Sequence, residues 1–401
     1  DTVSVLCPNT PPAVEGAFGV PMSGAVLHMM NTRLDASAIA FMLDHAEAKI
    51  FLVDQGLSEV GQEAVTLAGV SPTVVDIEDL TLGNLAPIGE LTYEELIGEG
   101  APEAEWSLPR EEWDAIALNY TSGTTGLPKG AMITHGMVFY NAVNLGAPAL
   151  ITPQSKHLSI LPLFHIAGLN VFANPVFHAG GTVVVTQAFD PAESLALLSD
   201  PTNGFTHFFG VPANYLFISQ QPAFVDADLS HLKVCGVGGA PCALSILEAF
   251  NPKGVDVQQG YGMTETSPAV LWLEGEATVK KLGSAGLPVL HNEVKLTDDN
   301  GEEILEADEI GELWVRGPNV TPGYWNQPDA TAQSITDGWL HTGDAAKRDT
   351  DGYYFIVDRW KDMYISGGEN VYPAEVENVI YQMPEVVEVA VIGIPDERWG
   401  E

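Results

Sequence analysis

Tyr120-Thr121-Ser122-Gly123-Thr124-Thr125-Gly126-Leu127-Pro128-Lys129-Gly130 gathers four Ser/Thr hydroxyls, three glycines and a lysine directly behind the short apolar run Ala115 to Leu118. A strand that feeds a turn of small residues exposes successive backbone N–H groups as an anion-binding nest. The hydroxyls add donors, and Lys129 adds a point charge. This is a phosphate grip, with ATP as its leading ligand. It is not the common nucleotide loop, because Pro128 precedes the lysine and Gly130 follows it. A plain Gly/Thr turn is the ordinary reading of a shorter cluster, but eleven ordered positions ending in Pro-Lys-Gly argue against it.

Around this loop the pattern alternates short apolar runs with helical segments. Val3–Leu6, Ala25–His28 and Ile50–Val53 read as strands, with helices over Pro11–Val20 and Ser37–Ala46 between them. The same rhythm resumes beyond the loop with strands at Ser159–Leu161, Gly181–Val185, His207–Phe209, Val234–Val237 and Val255–Gln258. Helices at Pro191–Ser199, Ala213–Gln220 and Pro241–Phe250 separate several of them. Such βαβ order predicts parallel sheets covered by helices. Glu90 to Glu112 is acidic and contains proline, and reads as a surface excursion. Past Thr266 the texture turns to strand and turn, with Asn292–Thr297, Glu312–Arg316 and Tyr353–Val357 as strands. A further unit opens near Asp358, with a helix over Pro373–Gln382 and a strand over Val386–Ile392.

The chain has 401 residues, 46% of them apolar, enough for a large core and more than one domain or subdomain. No apolar run reaches the roughly 18 residues of a membrane span, and no secretory leader is visible. Three cysteines, Cys7, Cys235 and Cys242, form neither a disulfide framework nor a zinc pattern, which suits a reducing cytoplasm. The formal net charge is −38, from 54 acidic residues against only 16 Lys and Arg. A surface so poor in cations argues against nucleic acid or anionic membrane as a partner. The few cations are therefore informative, and Lys347, Arg348, Arg359 and Lys361 fall close together.

Further segments combine with the loop: Pro162-Leu163-Phe164-His165, Gln259-Gly260-Tyr261-Gly262-Met263-Thr264-Glu265-Thr266, Gly338-Trp339-Leu340-His341-Thr342-Gly343-Asp344, and Asp358-Arg359-Trp360-Lys361-Asp362. In this combination and order the sequence resembles the adenylate-forming superfamily, and within it the acyl-CoA synthetases. The likeness covers nearly the whole chain. It implies an α/β fold: a large N-terminal domain of two parallel-sheet βαβ subdomains plus a small β-barrel subdomain, then a small mobile α+β C-terminal domain. Residues 1–357 would form the first, with its β-rich subdomain over about 267–357, and 358–401 would begin the second.

The implied chemistry has two halves. A carboxylate attacks the α-phosphorus of Mg·ATP, giving acyl-AMP and pyrophosphate; the thiol of coenzyme A then displaces AMP. By resemblance, Thr121, Ser122, Gly123, Thr124, Thr125, Gly126 and Lys129 hold the β- and γ-phosphates. Thr264 meets the α-phosphate and Glu265 binds Mg²⁺, although alone the pair reads equally as a helix cap. Gly238, Gly239 and Ala240 lie against adenine and the acyl group, with Gly260, Tyr261 and Gly262 beside them. Asp344 accepts from the ribose hydroxyls and Arg359 adds charge. His165 gates the ATP and acyl pockets. Lys361 is the hinge, and Ser366, Gly367 and Gly368 line the pantetheine tunnel. Asn170, Phe208, Phe209, Gly239, Met263 and His165 surround the acyl group.

The expected substrate is a medium- or long-chain fatty acid, with an aromatic or hydroxycinnamic acid as the alternative. A nonribosomal-peptide adenylation module and a binding relic without turnover are the rival classes. A homodimer is compatible with all of these. The second lysine that the resemblance implies, in a Gly-Lys motif near the end of the small domain, has no counterpart before Glu401, and the family's first helices and strands are missing too. The chain is accordingly expected to be part of a longer polypeptide, and one that truly ended at Glu401 should adenylate poorly.

Overall fold

The computed structural model describes residues 1–79, 86–121, 128–240, 242–360, 363–366, 369–380, 383, 386, 389–396 and 399. The first sheet holds β1 (Thr2–Leu6), β2 (Val26–Met29), β3 (Ala48–Asp54), β4 (Thr73–Ile77), β5 (Leu91–Thr92), β6 (Ala115–Thr121) and β7 (Lys129–Thr134) in the order β5-β4-β3-β1-β2-β6-β7. Its neighbours run parallel except the β6–β7 hairpin. All five residues of β1 are buried because helices cover both faces. Val3, Val5 and Cys7 pack toward the Pro11–Met22 helix, whereas Leu6 packs toward the Ala36–His45 helix. Period-2 alternation thus sends successive apolar side chains to opposite helical layers.

The second sheet comprises β8 (Lys156–Ser159), β9 (Thr182–Val185), β10 (His207–Gly210), β11 (Val234–Val237), β12 (Val257–Gly262), β13 (Ala269–Trp272) and β14 (Leu287–Pro288), ordered β14-β13-β12-β11-β10-β8-β9. It is parallel from β9 to β12 and antiparallel beyond. The third sheet is antiparallel throughout: β15 (Glu293–Thr297), β16 (Ile310–Arg316), β17 (Ile335–Thr336), β18 (Trp339–Arg348) and β19 (Tyr354–Arg359). A hairpin of β20 (Tyr364–Ser366) and β21 (Glu369–Val371) precedes the Pro373–Ile380 helix. No described helix is long and apolar enough to cross a membrane. All three cysteines are buried as free thiols, and burial pushes each up to about 12.

The βαβ reading holds, with local corrections. The strand expected at Ser159–Leu161 lies at Lys156–Ser159; its start was hidden by Lys156 and by His157, a buried histidine whose Nδ1 meets His207 O at 3.2 Å. Glu90–Glu112 is more than an excursion, since Leu91–Thr92 forms an edge strand and a Thr92/Glu95 capping box starts the Tyr93–Gly98 helix. The described residues of Val386–Ile392 form no strand.

The first two sheets are tied together by one side chain just after β1. Asn9 Nδ2 donates to Leu161 O at 2.9 Å and to Thr186 O at 3.2 Å, and its Oδ1 accepts from Leu163 N at 2.8 Å. Removing a buried polar partner leaves the others unsatisfied, which costs more than a hydrogen bond gains. Asn9→Ala should therefore lower stability by about 2–3 kcal/mol, read as a lower urea midpoint with an unchanged slope.

Candidate active site

In parallel α/β sheets ligands sit beyond the carboxyl ends of the strands, and the small-residue segments fall there. β11 runs into Gly238, Gly239 and Ala240, of which the last two are exposed. Gly239 takes φ +80°, a left-handed backbone that favours glycine. Gly260 lies beside Gly238 at the end of β12, whose last residue is Gly262. A Cβ on Gly262 would sit 1.7 Å from Pro268 O, so only glycine lets the strand fold back against the Ser267–Pro268 turn. The ring of Phe209 reaches under Gly238 and packs on Phe172 at 5.7 Å. Phe208, on the opposite face of β10, packs in the core against Tyr215 at 5.5 Å and does not reach the strand ends.

Met263 leads into a single 3₁₀ turn, Thr264–Thr266, that carries Glu265. Four asparagines brace this turn. Asn319 Nδ2 donates to Thr266 O at 2.6 Å and Ala269 O at 2.7 Å, and Asn292 Nδ2 donates to Ala269 O at 3.1 Å. Asn141 accepts from Ala269 N at 3.1 Å while donating to Asn170 O at 2.6 Å; Asn170 in turn donates to Ser267 Oγ at 3.1 Å. Asn170 is thus a brace behind the turn.

Glu265 is only 5% exposed. Its Oε1 accepts from the Tyr324 hydroxyl at 2.8 Å, and its backbone carbonyl accepts from Thr321 N at 2.7 Å. Among the described residues nothing donates to Oε2 and no cation pairs with the carboxylate. A buried carboxylate with one oxygen unengaged has the chemistry of a hard oxygen ligand. No described cluster of three or more His, Cys, Asp or Glu could hold a metal unaided. One carboxylate completed by substrate phosphates and water is the arrangement Mg²⁺ favours.

The phosphate-loop hairpin stands on the other side of Tyr324. Thr121 ends β6 opposite Lys129, which begins β7, and Lys129 Nζ lies 5.1 Å from the centre of the Tyr324 ring. Ser122, Gly123, Thr124, Thr125 and Gly126 lie outside the described residues, as do Lys361, Gly367 and Gly368. Ser366 closes β20.

Asp344 is buried beside Arg359, its partner across β18 and β19. Its Oδ1 meets Arg359 Nε at 3.1 Å and its Oδ2 accepts from the Tyr261 hydroxyl at 2.5 Å. Burial pushes its pKa up, while the Arg359 guanidinium and the Tyr261 phenol pull it back. Each oxygen retains a lone pair for a further donor. His165 caps the Ile166–Asn170 helix, with Nδ1 accepting from Ala167 N at 3.2 Å. Its ring is open to solvent yet ringed by enough protein that desolvation lowers its pKa, so it is neutral at pH 7.

Sequence reasoning singled out Lys129, Thr264, Glu265, Asp344 and Arg359 and passed over Tyr324, Thr321 and the bracing Asn141, Asn292 and Asn319. The available signal was Asn319-Val320-Thr321-Pro322-Gly323-Tyr324-Trp325, where Asn, Pro and Gly interrupt a strand texture before two aromatics.

Two family models match: AMP-binding enzyme over residues 1–325 and AMP-binding enzyme C-terminal domain over residues 375–401. A feruloyl-CoA synthase of Amycolatopsis is 41% identical over 406 residues, covering 100% of this chain and 77% of the relative. The o-succinylbenzoate CoA synthetase of Bacillus subtilis, solved with the acyl-adenylate intermediate OSB-AMP, superposes with a TM-score of 0.85 at 33% identity, covering 100% of this chain and 76% of that one. The same enzyme has been solved with ATP and a magnesium ion. ATP-bound MatB from Rhodopseudomonas palustris gives a TM-score of 0.88 at 31% identity, with coverages of 100% and 76%. Motifs, sheet order and relatives agree: the chain belongs to the AMP-binding enzyme family and is an AMP-forming acid–thiol ligase.

Proposed function

We propose that this ligase activates an aromatic carboxylic acid as its acyl-adenylate and passes the acyl group to coenzyme A. The observation that carries the reading is the pairing of Glu265, a buried carboxylate with one oxygen open, with Lys129 across the ring of Tyr324. A metal ligand at the hydroxyl and a phosphate lysine over the ring face of one phenol suit a triphosphate better than any neutral ligand. The carboxylate oxygen of the acid attacks the α-phosphorus, and the bond to pyrophosphate breaks. The coenzyme A thiol then attacks the acyl carbon, AMP leaves with its electron pair, and the thiol proton passes to solvent.

In this reading Thr121, Lys129 and the loop between them hold the outer phosphates, and Thr264 contacts the α-phosphate. Asp344, fixed by Tyr261 and Arg359, accepts from the ribose. Mg²⁺ held at Glu265 would neutralise charge on the phosphates. Gly239 and Ala240 leave room for adenine and the acyl group, and neutral His165 stands between the two pockets without adding charge. Lys361 serves as the hinge between adenylation and thioester formation, with Ser366 on the side that receives pantetheine.

The preferred acid shifts from the fatty acids expected on sequence to aromatic acids. Support comes from the feruloyl and o-succinylbenzoate relatives and from the floor beneath the glycine edge. There Phe209, Phe172 and Trp272 converge on Gly236, where a Cβ would lie within 3.4 Å of all three rings. Of these rings Phe209 reaches Gly238, where the ring of an aromatic acid would stack on it or meet it edge-on.

Pyrophosphate release measured across cinnamic, benzoic and fatty acids, with and without coenzyme A, should be fastest with an aromatic acid and yield its thioester. A clear preference for fatty acids would reverse the substrate assignment. Asp344→Asn keeps the shape but replaces a charged acceptor, and should raise KM for ATP roughly 10- to 100-fold with little change in KM for the acid. Lys129→Ala should likewise weaken ATP in steady-state titrations while leaving the thermal melt unchanged.

A further inference from the structure

The segment between β16 and β17 is laced to both halves of the nucleotide site. Thr321 Oγ1 donates to Met132 O at 2.7 Å, Met132 N donates to Gly323 O at 3.1 Å, and Trp325 N donates to Gly130 O at 2.8 Å, all on β7. The same segment grips the Glu265 turn through Asn319 and Thr321 N. Tyr324 is the point where the two grips converge. It is 8% exposed, its backbone N–H is fixed by Thr331 Oγ1 at 2.9 Å, its hydroxyl donates to Glu265 Oε1, and its ring faces Lys129.

We infer that Tyr324 is a positioning residue for the adenylation step: its hydroxyl aims Glu265 at the metal, and its ring steers Lys129 toward the phosphates. With Oε1 occupied by this donor, Oε2 is left as the metal ligand and the carboxylate cannot rotate freely. A ligand fixed by an outer hydrogen bond holds a metal better, by about 10- to 100-fold in comparable sites. The ring acts separately, because a cation within about 6 Å of an aromatic face is held without being neutralised.

This inference rests on the proposed metal role of Glu265, and a double-mutant cycle separates the two. Mn²⁺ binding in the presence of ATP is read by electron paramagnetic resonance for the wild type, Tyr324→Phe, Glu265→Gln and the double variant, with thermal melts as the folding control. Tyr324→Phe should weaken Mn·ATP binding about tenfold, with a matching rise in KM for Mg·ATP and no change in KM for coenzyme A. In the Glu265→Gln background the same change should have less than a twofold effect. Tyr324→Leu, which also removes the ring, should weaken ATP binding further even without metal. Wild-type Mn·ATP binding by Tyr324→Phe, or an equal loss in both backgrounds, overturns the positioning role while leaving the ligase reading intact. If Glu265→Gln binds Mn·ATP like the wild type, the metal role of Glu265 fails and this inference fails with it. Should Tyr324→Phe not fold, Thr331→Val tests the same geometry by freeing the Tyr324 backbone; an unchanged Mn·ATP affinity there overturns the inference.

Discussion

The hydrogen bond between Tyr324 and Glu265 is the point on which the rest of the site depends. The proposed triphosphate site takes its lysine from the first sheet and its carboxylate from the turn that follows β12 of the second. Sheets move relative to one another more easily than strands within a sheet, so the two groups require a common support. The Asn319–Trp325 segment supplies it by bonding β7 on one side and the Glu265 turn on the other. A displacement of either sheet is felt at both groups together.

That support is built from amide side chains for a physical reason. The Thr266–Ala269 turn is irregular and buried, so Thr266 O, Ala269 O and Ala269 N are met by side chains, and leaving such buried backbone groups unpaired is costly. Asparagine offers both donors and an acceptor on a short stem with little entropy to lose. Asn141 uses both functions at once, accepting from Ala269 and donating to Asn170. The first sheet is clamped to the second on the same logic by Asn9. Polar residues that would ordinarily be assigned to the surface therefore fill the seams between sheets, and the apolar clusters fill the layers within them.

This distinction explains what the sequence disclosed. Periodicity reports how a side chain faces its own layer, so Val3, Val5 and Leu6 declared a strand covered on both faces. Glu265 and Asp344 were legible because the motifs around them are contiguous. Tyr324 and Asn319 were not, since their roles come from contacts more than fifty residues away. Phe208 and Phe209 illustrate the same limit, as adjacent residues of one strand face opposite ways and only one reaches the strand ends. The edge strand and capped helix within Glu90–Glu112 were masked by acidity, although Thr92 and Glu95 form a capping box at the expected spacing.

The charge balance gives Tyr324 added significance. With 54 acidic residues and 16 Lys and Arg, carboxylates far outnumber the cations of this chain. Lys281 shows one outcome, pairing with both Asp349 and Asp351. Lys129 lies instead against a phenol face, and among the described residues no carboxylate pairs with it. A ring attracts an ammonium group but does not cancel its charge, so the lysine keeps its field for an incoming phosphate. Glu265 is engaged by the hydroxyl of that same ring. In the proposed reading one side chain therefore engages both a lysine and a glutamate, and an acidic protein presents both the anion-binding and the cation-binding half of a Mg·ATP site.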